Sequence, residues 1–113
     1  MRKGDERMSW DVSATVTEVK EVTTEVYERN VTWNNQPIFM KALGCGFRDL
    51  DGKSGREVLP LVSAALENIQ SNRAEYEPLE PDNHWGGVDD VLNVLRGLLA
   101  ACTEYPDCKV QVV

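Results

Sequence analysis

A chain of 113 residues sits near the usual size of one domain, and its 42% apolar and 27% charged residues are ordinary for a globular fold rather than a disordered or fibrous one. Twelve Lys plus Arg against nineteen Asp plus Glu give a net charge of −7, which opposes direct nucleic-acid binding, where clustered cations supply the affinity by releasing counterions. No apolar run approaches the roughly 18 to 20 residues that cross a bilayer, and the opening MRKGDERMSW has no apolar signal segment, so a cytoplasmic protein without membrane contact is expected.

Residues 1–8 read as a flexible, charged N-terminal tail, and residues 9–113 as a single α+β domain. From Trp10 the sequence WDVSATV alternates apolar and polar positions, the period of a strand buried on one face. A second run, VTTEVYERNVTWN, is rich in β-branched and aromatic residues. Its apolar phase changes between Val26 and Tyr27, which predicts a bulge or a strand covered on both faces. The short VKEV connection favours an antiparallel hairpin.

Pro37 then opens IFMKALG, a short helix that Gly44 ends. In SGRE, Ser54 and Glu57 form a capping box ahead of the helical spacing Val58, Leu61, Val62, Ala65, Leu66 and Ile69. Pro60 inside that pattern implies a kink or a later start near Leu59. Residues 71–87 carry EPLEP, DN and GG and read as the longest loop. A last helix covers about Val88 to Thr103, with Asp89 and Asp90 at its positive end, and CKVQVV closes the chain as a strand. The order β-β-α-α-α-β fits a small, mainly antiparallel three-stranded sheet with helices on one face.

Chemistry-bearing patterns are sparse. Cys45, Cys102 and Cys108 are an odd set without secretory context and should be reduced; with one histidine in the chain they make no zinc pattern, so neither a metal nor a cofactor is expected. His84 has no nucleophile context around it, and no catalytic residue is assigned. DLDGKSG fails both the calcium-loop and the phosphate-loop spacing and reads as a solvated turn. The segment PDNHWGGVDD is the densest local feature. It reads foremost as a helix-launching loop in which Trp85 plugs the end of the core while Gly86 and Gly87 make the bend. Its functional reading is an anion held by free N–H groups of the helix start, with Trp85 as a stacking face.

Taken together, NVTWNNQPIF, LDGKSGREVLPLVSAAL, PDNHWGGVDDVLNVLRGLLAAC and YPDCKVQV resemble a group of small bacterial and bacteriophage proteins, especially those of actinobacterial phages. That group has an N-x-T-x-N strand followed by proline and an Asn/Trp/Gly loop ahead of the last helix. Asn30, Thr32, Asn34 and Pro37 match the first element, and Asn83, Trp85 and Gly86 the second; His84 stands where the group has glycine. The resemblance implies no activity. It does suggest that the two polar clusters meet in a shallow ligand pocket of Asn30, Thr32, Asn34, Asn83, His84 and Trp85.

The functional expectation is a small acidic accessory protein that acts by binding a host protein or a small ligand and is not an enzyme. The alternative is a small enzyme or a nucleotide- or metabolite-binding protein using the Asn/His/Trp pocket. The Thr- and Glu-rich face of the sheet, or an exposed sheet edge, offers a route to a homodimer.

Overall fold

The computed structural model describes residues 9–17 and 23–113. The N-terminal tail and the VKEV connection lie outside the described residues. Three strands, β1 (Ser9–Thr17), β2 (Thr23–Thr32) and β3 (Lys109–Val112), form one antiparallel sheet in the order β2-β1-β3. Between β2 and β3 come α1 (Gln36–Leu43), α2 (Gly55–Ser71), the single turn α3 (Arg73–Tyr76) and α4 (Val88–Glu104). The α+β architecture expected from the pattern is the one found.

The alternation of β1 decides which face the helices cover. Trp10, Val12 and Ala14 are buried, and Val110 and Val112 of β3 join them. Beneath the helices these meet Ile38 and Phe39 of α1, Val58, Val62 and Ile69 of α2, and Val91, Leu95 and Leu98 of α4. Trp10 anchors an aromatic cluster, with ring centres 5.2 Å from Phe47 and 6.2 Å from Phe39, and the two phenylalanines stack at 4.2 Å. The phase change in β2 is a bulge: Ala14 pairs with Tyr27 but Thr15 with Glu25, so Val26 is the extra residue. The opposite face carries exposed Asp11, Glu28, Asn30, Lys109 and Gln111.

The two edges of this sheet differ. Along β3 the turn after Leu50 closes the edge: Gly52 N–H donates to Val110 O at 2.8 Å, Val110 N–H to Lys53 O at 2.9 Å, and Val112 N–H to Asp51 Oδ1 at 2.9 Å. DLDGKSG is thus the cover of a strand edge rather than a merely solvated turn. Gly52 makes the turn possible with φ +84°.

The helix signals act as read, with two corrections. Ser54 Oγ accepts from Glu57 N–H at 3.3 Å and Glu57 Oε1 accepts from Ser54 N–H at 2.9 Å. The Ser54 N–H bond, with the Ser54 hydroxyl adding, holds the Glu57 carboxyl below the usual carboxylate range, so this cap is complete at neutral pH and weakens as acid protonates Glu57. The helix begins here and runs through Pro60, so the later start near Leu59 is not taken. The second correction concerns residues 71–87, where α3 and a 3-10 turn (Glu77–Leu79) replace half of the expected loop. Tyr76 is buried there beneath the Lys41 ammonium, 5.4 Å from the ring centre. One helical turn is too short to print a period in sequence.

Candidate functional site

The segment after β2 and the segment before α4 meet at one end of the sheet. Thr32 ends β2 and caps a 3-10 turn (Trp33–Asn35), its hydroxyl accepting from Asn34 N–H at 3.4 Å. Opposite it, Asn83 Oδ1 accepts from Trp85 N–H at 3.0 Å, folding the loop back on itself. The two segments then touch, Asn34 Nδ2 lying 3.5 Å from Asn83 Oδ1.

What fixes this junction is Asn35, the buried polar residue of the core among the described residues. Its Oδ1 accepts from Gly87 N–H at 2.8 Å and its Nδ2 donates to Asp90 Oδ2 at 2.7 Å. Asp90 Oδ1 in turn accepts from the Arg29 guanidinium at 2.6 Å, tying α4 to β2. Glu80 Oε2 accepts from Val88 N–H at 2.9 Å. Two N–H groups at the start of α4, those of Gly87 and Val88, are thereby satisfied by side chains of the chain itself, and Asp89 and Asp90 add negative charge at that end. An anion at those two groups would have to displace these partners, and the adjacent carboxylates would repel it.

Gly86 and Gly87 make the bend with φ of +96° and +131°. His84 is exposed and also sits in the left-handed region, at φ +64°. A histidine there is strained, so His84→Gly should raise unfolding stability by up to about 1 kcal/mol, read by urea denaturation.

The structure brings Thr32, Asn34, Asn83 and Trp85 to one junction, with His84 on its outer rim. Asn30 is elsewhere: its amide lies on the uncovered face of the sheet and donates to Ser9 Oγ at 3.0 Å, Asp11 Oδ1 at 2.9 Å and Trp10 O at 3.3 Å. Strand alternation separates it from Val31 and Arg29, which face the helices. Trp85 is 67% exposed, which overturns its reading as a core plug. The plug at this end is Trp10, whose ring meets that of Trp33 edge-on at 6.2 Å. Asn35, Arg29 and Glu80 were missed as members of the junction, because nothing local to NNQP announces a partner 52 positions away.

Trp33 is 49% exposed and Trp85 67% exposed, and they sit on segments already in contact, Thr32 lying against Gly86 and Asn34 against Asn83. Met40, on α1, is 51% exposed. Two thiols are held away from activation: burial pushes Cys102 up to about 12, Cys108 adding to the effect, and burial also raises Cys45. Among the described residues no group of three or more His, Cys, Asp or Glu could hold a metal ion, and no helix is long and apolar enough to cross a membrane. Comparison with known proteins finds no matching family model, no similar curated protein and no similar solved structure.

Proposed function

We propose that the chain is a small acidic, phage-type accessory protein that acts in the host cytoplasm by binding a host protein, without chemistry of its own. The observation that carries this reading is the exposure of Trp33 and Trp85 on two segments locked together through buried Asn35. Tryptophan is the side chain most enriched at the energetic centre of protein interfaces, and anchors that are already rigid lose little entropy on docking. Exposed indoles on a fixed scaffold fit that role better than they fit stability. The net charge of −7 favours a partner with a basic surface and speeds the encounter. Pairing of two copies belongs to the same proposal and would present the tryptophan end twice per particle.

A second reading has its own support, since Trp85, exposed and bonded through its backbone N–H to Asn83, adjoins the Asn34–Asn83 amides, a polar and aromatic combination suited to a planar metabolite or nucleotide base. The test compares the wild-type chain with the Trp33→Ala/Trp85→Ala double variant on two assays. In the first, wild-type protein retains a specific host protein from lysate and the double variant, with a melting temperature within a few degrees of wild type, does not. In the second, nucleotides and common metabolites are screened by thermal shift, where a ligand at a hundred times its dissociation constant stabilises the fold by about 2.7 kcal/mol. Retention that survives loss of both indoles sinks the leading reading, and a ligand shift lost with Trp85 replaces it by the second.

A further inference from the structure

We propose that two copies of this chain pair antiparallel through the outer edge of β2, merging their sheets into one continuous sheet with three strands from each copy. The inference deepens the pairing of two copies proposed above, and it stands on the sheet alone, independent of what the Trp33–Trp85 end binds.

The main-chain pattern identifies which groups are free. Asp11 exchanges both hydrogen bonds with Val113, at 2.9 and 3.0 Å, so Asp11, Ser13 and Thr15 direct their backbone groups toward β3. By alternation Trp10, Val12 and Ala14 direct theirs toward β2, where they pair with Val31, Arg29 and Tyr27. The backbone N–H and C=O of Glu28, Asn30 and Thr32 therefore point away from the sheet. Among the described residues no hydrogen bond reaches those of Glu28 and Asn30, nor the Thr32 N–H, while the Thr32 C=O is taken by the 3-10 turn it caps. The β3 edge, by contrast, is closed by Asp51, Gly52 and Lys53. One edge of this sheet is covered and the other is an open template, the arrangement that strand addition uses.

The occupant that fits is a second copy. Antiparallel pairing about a two-fold axis allows a residue to face itself, with neighbours matched symmetrically on either side. Centred on Glu28 the register opposes two carboxylates, and centred on Arg29 it opposes two guanidiniums. Centred on Asn30 it places Glu28 against Thr32 and Arg29 against Val31, with no like charges opposed. In that register Asn30 exchanges two bonds with its own copy and each Thr32 N–H meets a Glu28 carbonyl, about four main-chain bonds in the interface. The bulge at Val26 ends the pairing on one side and the 3-10 turn at Trp33 ends it on the other. Because β3 is covered, the assembly closes at two copies and does not grow into a filament.

The experiment follows mass by light scattering and sedimentation of the full chain from micromolar to millimolar concentration. Wild type should double in mass with concentration. In Asn30→Pro the lost N–H faces outward, so the intrachain ladder keeps every bond and the variant should fold yet stay monomeric, its dissociation constant weakened at least tenfold. If that variant does not fold, Asn30→Lys, which sets two cations face to face on the axis, should weaken pairing at least tenfold. A wild-type chain monomeric across the range overturns the proposal, as does a dimer that persists unweakened in whichever variant folds. Growth beyond two copies overturns it as well.

Discussion

Replacing Asn35 by alanine should destabilise the domain by about 2–4 kcal/mol, the sum of an orphaned buried donor, a weakened ion pair and a small void. The melting temperature should fall on the order of 10 °C, and circular dichroism on heating measures it directly. The size of the effect follows from what this amide satisfies. Without it Gly87 N–H is buried with no acceptor, and Asp90 loses the partner that orients it toward Arg29. Asn35→Asp keeps the shape and tests the chemistry. An ionised carboxylate still accepts from Gly87 but cannot donate to Asp90, and it brings like charge to an oxygen that the amide meets at 2.7 Å. That variant should be as unstable as the alanine variant at neutral pH. It should recover as the pH falls into the carboxylate range, because a protonated carboxyl regains a donor. An Asp variant as stable as wild type at neutral pH would place the importance of Asn35 in its volume rather than in its hydrogen bonds.

Gly86→Ala should be comparably damaging, by about 2–4 kcal/mol, for two reasons that add. The backbone at φ +96° disfavours any side chain, and a Cβ here would press on the Asn35 amide and come within 2.8 Å of Thr32 Cγ2. The clash falls on the group that holds the junction together, so the substitution strikes the same network from the other side. Denaturant unfolding of the single variants and of the Gly86→Ala/Asn35→Ala pair checks this. Because the two share a contact, the double variant should lose clearly less than the sum of the two losses. Additive losses would mean that strain at Gly86 acts without Asn35. His84, two residues earlier in the same loop, carries the opposite expectation, since glycine there relieves strain rather than creating it.

Much of the fold was legible because it rests on periodic burial. The alternation around Val12, the phase change at Val26 and Tyr27, the cap at Ser54 and the stripe of α4 each leave a local mark, and each element forms where that mark lies. Strand order left no such mark, since one partner of β1 follows it directly and the other lies at the far end of the chain. The junction was half legible. Asn34, Asn83 and the two glycines stand out as turn chemistry, and they do meet, but the residue that decides their meeting is an asparagine whose partners lie far along the chain. Trp85 was misread for a related reason. Burial of large aromatics is the commoner outcome, and only the three-dimensional position of Trp10 shows that the space was already filled.

The placement of β1 between a sequence neighbour and a distant strand sets the order in which the molecule can assemble. Pairing of β1 with β2 needs only a short loop to close, whereas Val12 meets Val112 after all the intervening helices have been synthesised. Until that happens the covered side of β1 and the lower faces of α2 and α4 lack Val110 and Val112. Completion of the sheet is therefore a late, non-local step of the kind that slows folding into the millisecond-to-second range. A nascent chain would hold its hairpin and helices in waiting, with the core unsealed until its last strand arrives.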